Sequence, residues 1–286
     1  MARKKYDEVT GTETTGHEWD GIEELNKPLP KWWLWTFYAT IIWAIGYWLL
    51  MPAWPLVASY TKGWLGYSQR ERVTGQVDQA KMAQAVFRER IATSELETIS
   101  TDPELLRFAL AGGEAAFGDN CAPCHGRGAQ GFPGYPNLRD DSWLWGGSLE
   151  AIHKTIAHGV RSTDTNTHAG QMPAFGGLLT PPQLNDITEY VLSLSGSKGD
   201  AAAVERGGKI FAENCAVCHG AEGGGNQQMG APNLADELWL YGGDRALVMQ
   251  TIRNGRAGMM PAWQGRLDPE TIKQLAIYVH SLGGGE

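Results

Sequence analysis

Two pentapeptides, Cys121-Ala122-Pro123-Cys124-His125 and Cys215-Ala216-Val217-Cys218-His219, contain all 4 cysteines of this 286-residue chain. In a C-x-x-C-H site the two thiols add across haem vinyl groups, and the histidine that follows comes under the iron. One helical turn must therefore present both thiols and the imidazole to a flat ligand, and the surrounding chain must wrap that ligand. Structural zinc held by two C-x-x-C pairs and a dithiol redox couple are the competing readings. Neither requires a histidine after each pair, and the dithiol expects a βαβ pattern that is missing here. Two covalently bound haem c groups, at Cys121, Cys124, Cys215 and Cys218, are the expected cofactors, with His125 and His219 as axial ligands.

An apolar block sets the topology. No charged residue occurs between Trp32 and Thr61, and Trp32 to Met51 alone is long enough, at ~1.5 Å of rise per residue, to cross a bilayer core of about 30 Å. A cleaved signal peptide would sit closer to a basic amino terminus. Here 31 mostly polar residues precede the block, and Trp32, Trp33 and Trp35 at one end face Tyr47, Trp48, Trp54, Tyr60 and Trp64 at the other, as aromatic belts do. The reading is an uncleaved single-pass anchor, residues 32–57, in membrane lipid. The positive-inside bias of its flanks is weak: Arg3, Lys4, Lys5, Lys27 and Lys31 lie before it and Lys62, Arg70 and Arg72 soon after. Covalent haem attachment, which takes place outside the bacterial inner membrane, orients it instead. Residues 1–31 are expected in the cytoplasm and the haem domains in the periplasm.

Beyond the anchor the sequence repeats. Aligning Cys121 with Cys215 brings Pro136-Asn137-Leu138 onto Pro232-Asn233-Leu234 and Trp143-Leu144-Trp145-Gly146-Gly147 onto Trp239-Leu240-Tyr241-Gly242-Gly243. It also brings Met172-Pro173-Ala174-Phe175 onto Met260-Pro261-Ala262-Trp263. Two tandem domains are expected, 103–198 and 199–286, each close to the size of a small domain. Both read as all-α. Helical segments carrying Phe117 and Phe211 lead into the haem motifs, four residues ahead of each first cysteine and on its face. Leu184–Leu194 and Thr271–Leu282 form terminal helices. Thr180 and Gln183 propose a capping box with proline following, Asp268-Pro269 a second start, and Gly196 and Gly283 the stops. Residues 58–102 read as a linker with an amphipathic helix over Gln79–Ile91, either a spacer or a docking element. The tail 1–31 is compatible with disorder, with Trp19 to Leu29 able to order on another subunit.

A histidine leaves the iron's sixth position open, and a methionine in an irregular segment before each terminal helix can fill it. Met172 and Met260 occupy equivalent places, and repetition outweighs the usual reading of methionine as core filler. Met259 is a rival to Met260, and His153, His158 and His168 are rivals to Met172. A histidine–methionine site has no vacancy for oxygen or peroxide, and its thioether favours ferrous iron, so the domains should carry electrons without bond chemistry. Arg139, Arg161, Arg253 and Arg256 are possible propionate partners.

The turns Gly134-Tyr135-Pro136-Asn137-Leu138 and Gly230-Ala231-Pro232-Asn233-Leu234 make both repeats resemble class I c-type cytochromes. The resemblance implies that Pro136 and Pro232 accept a hydrogen bond from the proximal histidines. The stretch Gly16-His17-Glu18-Trp19-Asp20-Gly21-Ile22-Glu23-Glu24-Leu25-Asn26-Lys27-Pro28-Leu29-Pro30, followed by a tryptophan-rich anchor and two haem domains, resembles the di-haem subunit III of cbb3-type cytochrome c oxidases. That resemblance covers nearly the whole chain. It implies electron transfer from a donor cytochrome c to a mono-haem c subunit and on to the haem-copper site of a catalytic subunit. By itself the chain is then a non-catalytic part of a terminal oxidase. Some members of the family have two spans; this chain has one. Without the resemblance, the residues support an independent membrane-tethered carrier and, less well, a di-haem peroxidase. The net charge of −8, shared by both haem repeats, suits a basic protein donor and not a nucleic acid.

Overall fold

A computed structural model describes residues 5–284, which form two compact units divided between Met82 and Ala83. Arg3 and Lys4 of the expected basic flank lie outside the described residues. In the first unit, the tail that the sequence left without regular structure forms an antiparallel hairpin, β1 (Thr14–Trp19) with β2 (Ile22–Leu25). Asp20 and Gly21, both at positive φ, make its turn. Next comes α1 (Lys31–Leu50), whose 20 residues are long and apolar enough to cross a membrane and carry no buried side chain. It stops at Leu50, short of residue 57, because Pro52 and Pro55 cannot continue the backbone bonding. The chain then turns back. Trp64 and Leu65 donate their N–H groups to the Leu49 and Leu50 carbonyls at 2.9 and 3.1 Å, satisfying oxygens that a helix end leaves open.

Helix α2 (Gln69–Thr93) begins in the first unit and continues into the second, which is all-α. After α3 (Leu96–Thr101) come α4 (Pro103–Asn120), the single-turn α5 (Ala122–His125) and α6 (Leu149–His158) of the first repeat. Then follow α7 (Pro181–Leu194), α8 (Ala201–Asn214), the single-turn α9 (Ala216–His219), α10 (Arg245–Asn254) and α11 (Pro269–His280). Local chemistry explains the ends. Asp102 accepts from the N–H groups of Glu104 and Leu105 at the start of α4, and Gln183 accepts from the Thr180 N–H at 2.9 Å at the start of α7.

Each of the two helical bundles draws helices from both repeats. Helix α4 of the first repeat packs on α11, the last helix of the second, while α8 of the second repeat packs on α7, the last helix of the first. One core joins Leu105, Ala109 and Phe117 of α4, Ile152 and Ile156 of α6, and Ile272, Leu275, Ala276, Ile277 and Val279 of α11. The other joins Leu184, Ile187 and Val191 of α7, Ile210 and Phe211 of α8, and Val248 and Ile252 of α10. Both crossings are tight. A Cβ at Gly113 would overlap the Gln274 carbonyl, and one at Gly207 would overlap that of Asp186. Phe117 stands 5.5 Å from Tyr278, and Phe211 stands 5.1 Å from Tyr190, between ring centroids. Arg206 of α8 holds Asp186 of α7 with two bonds of 2.7 Å.

The expected linker also extends into the first core. Ile91 and Ile99 are fully buried there, Phe87 stacks on Phe108 at 5.0 Å, and Lys273 of α11 donates to the carbonyls of Ile91, Ala92 and Ser94 at the end of α2. A cation at a helix C-terminus meets both the open carbonyls and the dipole. From Ala83 onward this segment belongs to the second unit, with Ile91 and Ile99 in its first core.

Two outcomes follow from this packing. Leu275→Ala removes a fully buried side chain facing α4 and should lower unfolding stability by about 2–5 kcal/mol. A chain ending at Lys198 would leave α4 and α6 without their partner helix, so its thermal unfolding by circular dichroism should lack a cooperative transition for the first repeat. A sharp, wild-type-like transition would contradict the exchange of terminal helices.

Candidate haem sites

Each haem motif begins where a helix ends. Cys121 caps α4 and Cys215 caps α8, both in right-handed conformation, so the next turn starts at once. The His125 and His219 N–H groups return to the Cys121 and Cys215 carbonyls at 2.9 and 3.0 Å, and Gly126 and Gly220, at φ 80 and 79, stop the turn. Both thiols of each motif and its imidazole thus belong to a single turn. Burial pushes the Cys121 and Cys215 thiols up to about 11. Among the described residues, no group of three or more His, Cys, Asp or Glu is placed to hold a metal ion.

Each imidazole is oriented by one backbone oxygen. His125 Nδ1 lies 2.9 Å from the Pro136 carbonyl, and His219 Nδ1 lies 3.0 Å from that of Pro232. A carbonyl only accepts, so Nδ1 carries the proton and Nε2 keeps its lone pair for a metal. Burial lowers both histidine pKa values, with the proline contact opposing it more weakly, so the neutral ring is favoured. This donor set fits a haem joined to two cysteines and ligated by Nε2.

The methionine segments lie across the molecule from their own repeats' haem motifs. Met260 exchanges N–H···O=C bonds of 3.0 Å in both directions with Val160, just after α6, and Trp263 donates to the Ile156 and Ala157 carbonyls. Its side chain packs on the core that contains Cys121. Met172 forms the same pair of 3.0 Å bonds with Arg256, just after α10, while Phe175 donates to Ile252. Met172 packs on the core that contains Cys215. Gly159 and Gly255 leave room for these segments, since a Cβ on either would overlap the Met260 or Met172 backbone. Alignment of the repeats pairs Met172 with the first motif; the packing pairs it with the second.

The rival ligands have other surroundings. Met259 is 72% exposed. His158 Nδ1 is 3.1 Å from Asp164, and His168 lies 3.1 Å from the Thr155 hydroxyl and stacks on Trp145. The His153 pKa is lowered, chiefly by burial. Among the arginines, Arg161 donates to the Gly258 and Gly170 carbonyls, and Arg256 to the Thr251 hydroxyl while lying over the Tyr241 ring. Phe117 and Phe211, expected beside the haem, are each 1% exposed in the two cores.

Comparison with known proteins agrees with the motif, fold and anchor together. The model for the N-terminal domain of cytochrome oxidase-cbb3, FixP, matches residues 11–58, which include the hairpin and α1. The model for cytochrome c oxidase, cbb3-type, subunit III matches residues 108–191 and again 202–279. A cbb3-type cytochrome c oxidase subunit FixP of Azorhizobium caulinodans is 56% identical over 98% of this chain and 96% of its own length. The subunit FixP of Sinorhizobium medicae is 53% identical over 99% and 98%. The subunit CcoP of Azospirillum brasilense is 52% identical over the full length of both. With one membrane-length helix among the described residues, two C-x-x-C-H turns and these relatives, the chain belongs to the subunit III family of cbb3-type cytochrome c oxidases.

Proposed function

We propose that this chain is the electron-entry subunit of a cbb3-type oxidase, holding two haem c groups and taking no part in oxygen chemistry itself. The observation that carries the reading is the duplicated lock of a haem-motif histidine on a proline carbonyl, each inside a bundle that also receives a methionine. Haem c supplies a reversible one-electron iron couple. Cys121 and Cys124 would anchor the first group and Cys215 and Cys218 the second. His125 and His219 would hold the irons from one side. On the other side the packing supports Met260 for the first haem and Met172 for the second, an exchange of ligands between repeats. A buried, doubly ligated iron with its histidine fixed changes little on reduction, which suits transfer without bond making.

The direction of transfer follows from family membership and charge. A basic donor cytochrome c would be drawn to the acidic haem repeats, and electrons would pass to a mono-haem c subunit and the haem-copper subunit. Helix α1 would anchor the chain in the bacterial inner membrane, with the hairpin in the cytoplasm and the haem bundles in the periplasm.

Gentle detergent extraction of the tagged chain should bring down b-type haem in substantial ratio to c-type haem. Recovery of c-type haem alone, under conditions that preserve membrane complexes, would point to an independent carrier. The ligand exchange has its own test in a two-component redox titration of the full chain. Cys215→Ser with Cys218→Ser, which empties the second attachment site, marks the second haem's component by its loss, and Cys121→Ser with Cys124→Ser marks the first. Met172→His should move the second haem's component and Met260→His the first's, each lowering it by on the order of 0.1 V. A shift of the first haem's component by Met172→His would return each methionine to its own repeat.

A further inference from the structure

The repeated segments Trp143-Leu144-Trp145-Gly146-Gly147 and Trp239-Leu240-Tyr241-Gly242-Gly243 each contain two aromatics with different fates. The first stays at home: Trp143 packs on the core of α4 and Trp239 on that of α8. The second crosses. A Cβ at Gly230 would overlap the Trp145 indole, and one at Gly170 would stand 3.0 Å from its Cη2. Gly230 lies in the turn whose Pro232 carbonyl orients His219, and Gly170 is two residues before Met172. The Trp145 indole therefore touches both segments that carry the axial ligands of the second haem.

Tyr241 mirrors this arrangement. A Cβ at Gly134, in the turn that holds Pro136, would be 3.5 Å from its Cε1, and one at Gly258, two residues before Met260, would be 2.9 Å from its hydroxyl. The Gly134 N–H also donates to the Leu240 carbonyl at 2.7 Å. Each aromatic is backed by a residue of its own repeat. His168 stacks on Trp145 with centroids 4.3 Å apart and meets Thr155, while the Arg256 guanidinium lies 4.1 Å from the Tyr241 centroid and donates to Thr251. Arg161, a non-glycine residue at φ 51, spans the two halves by donating to the carbonyls of both Gly170 and Gly258. A left-handed conformation costs a branched chain some free energy and persists where the surroundings hold it.

We propose that Trp145 and Tyr241 are positioning residues, each rooted in one repeat and bracing both axial-ligand segments of the haem attached in the other. The proposal rests on the exchanged ligand pairing of the preceding subsection. Its physical content is that one rigid ring sets the spacing between the histidine turn and the methionine strand. Loss of the ring would let the methionine dissociate more readily, and weaker thioether ligation disfavours ferrous iron.

The test uses the full chain with both haems, in detergent, and reads the two components of a spectroelectrochemical titration together with cyanide binding. Cys215→Ser with Cys218→Ser marks the second haem's component by its loss, and Cys121→Ser with Cys124→Ser marks the first. Trp145→Leu should lower the second haem's component and raise cyanide binding at that haem several-fold, while leaving the other component in place. Trp145→Phe, which keeps a ring against Gly230, should recover most of both properties. Tyr241→Leu should act on the first haem's component, and it decides the matter if Trp145→Leu fails to load haem. A shift confined to the residue's own repeat, or no shift in either component, overturns the proposal. Failure of the ligand exchange would look different, since Met172→His would then move the first haem's component.

Discussion

Val160 and Met260 bond each other's backbone in both directions at 3.0 Å, and Met172 and Arg256 do the same. These paired bonds fix where each methionine goes, and the rest of the second unit is arranged to permit them. Gly159 and Gly255 are bare where the methionine strands pass. Trp263 and Phe175 continue each strand into the opposite core, and α11 and α7 then have nowhere to lie except against α4 and α8. Neither repeat can close its bundle without the other. The two bundles should therefore unfold as one cooperative body, in contrast to tandem domains that share only a linker.

That interdependence suits an electron carrier. Burial favours the neutral imidazoles, proline carbonyls fix their tautomer, and the helix crossings at Gly113 and Gly207 are close enough to exclude even a methyl group. Little can move when charge arrives. Two haem sites whose supports interlock are also held at a fixed separation. A linker between independent domains would allow that distance to vary.

Much of the site was legible in the chain alone. The C-x-x-C-H motifs single out the proposed attachment residues, the repeat picks out Pro136 and Pro232, whose carbonyls the two histidines meet, together with Met172 and Met260, and the uncharged run after Lys31 marks the apolar helix α1. Partnership was not legible. Both repeats have the same motifs in the same order, so a methionine that serves its own repeat and one that serves its neighbour leave identical patterns. Periodicity places the domain boundary at 198/199, and the family model also matches the repeats as consecutive segments. Which helices pack together, α4 on α11 and α8 on α7, is a long-range property that periodicity does not carry. Trp145 and Tyr241 did leave a signal, an aromatic in register between repeats, but the sequence gives no reason to aim it across the pseudo-symmetric interface. The hairpin Thr14–Leu25 escaped because its strands expose nearly every side chain and show no buried alternation. The buried stretch after Ala83 escaped because a helix shared between solvent and core looks like a spacer.

The exchange of ligands is open to direct observation. An experimental density map of the haem-loaded chain, good enough to follow each methionine to its sulfur, should show Met260 Sδ on the iron of the haem joined to Cys121 and Cys124. Met172 Sδ should reach the iron of the haem joined to Cys215 and Cys218. Density running from Met172 to the first haem would contradict the account and restore two self-contained domains.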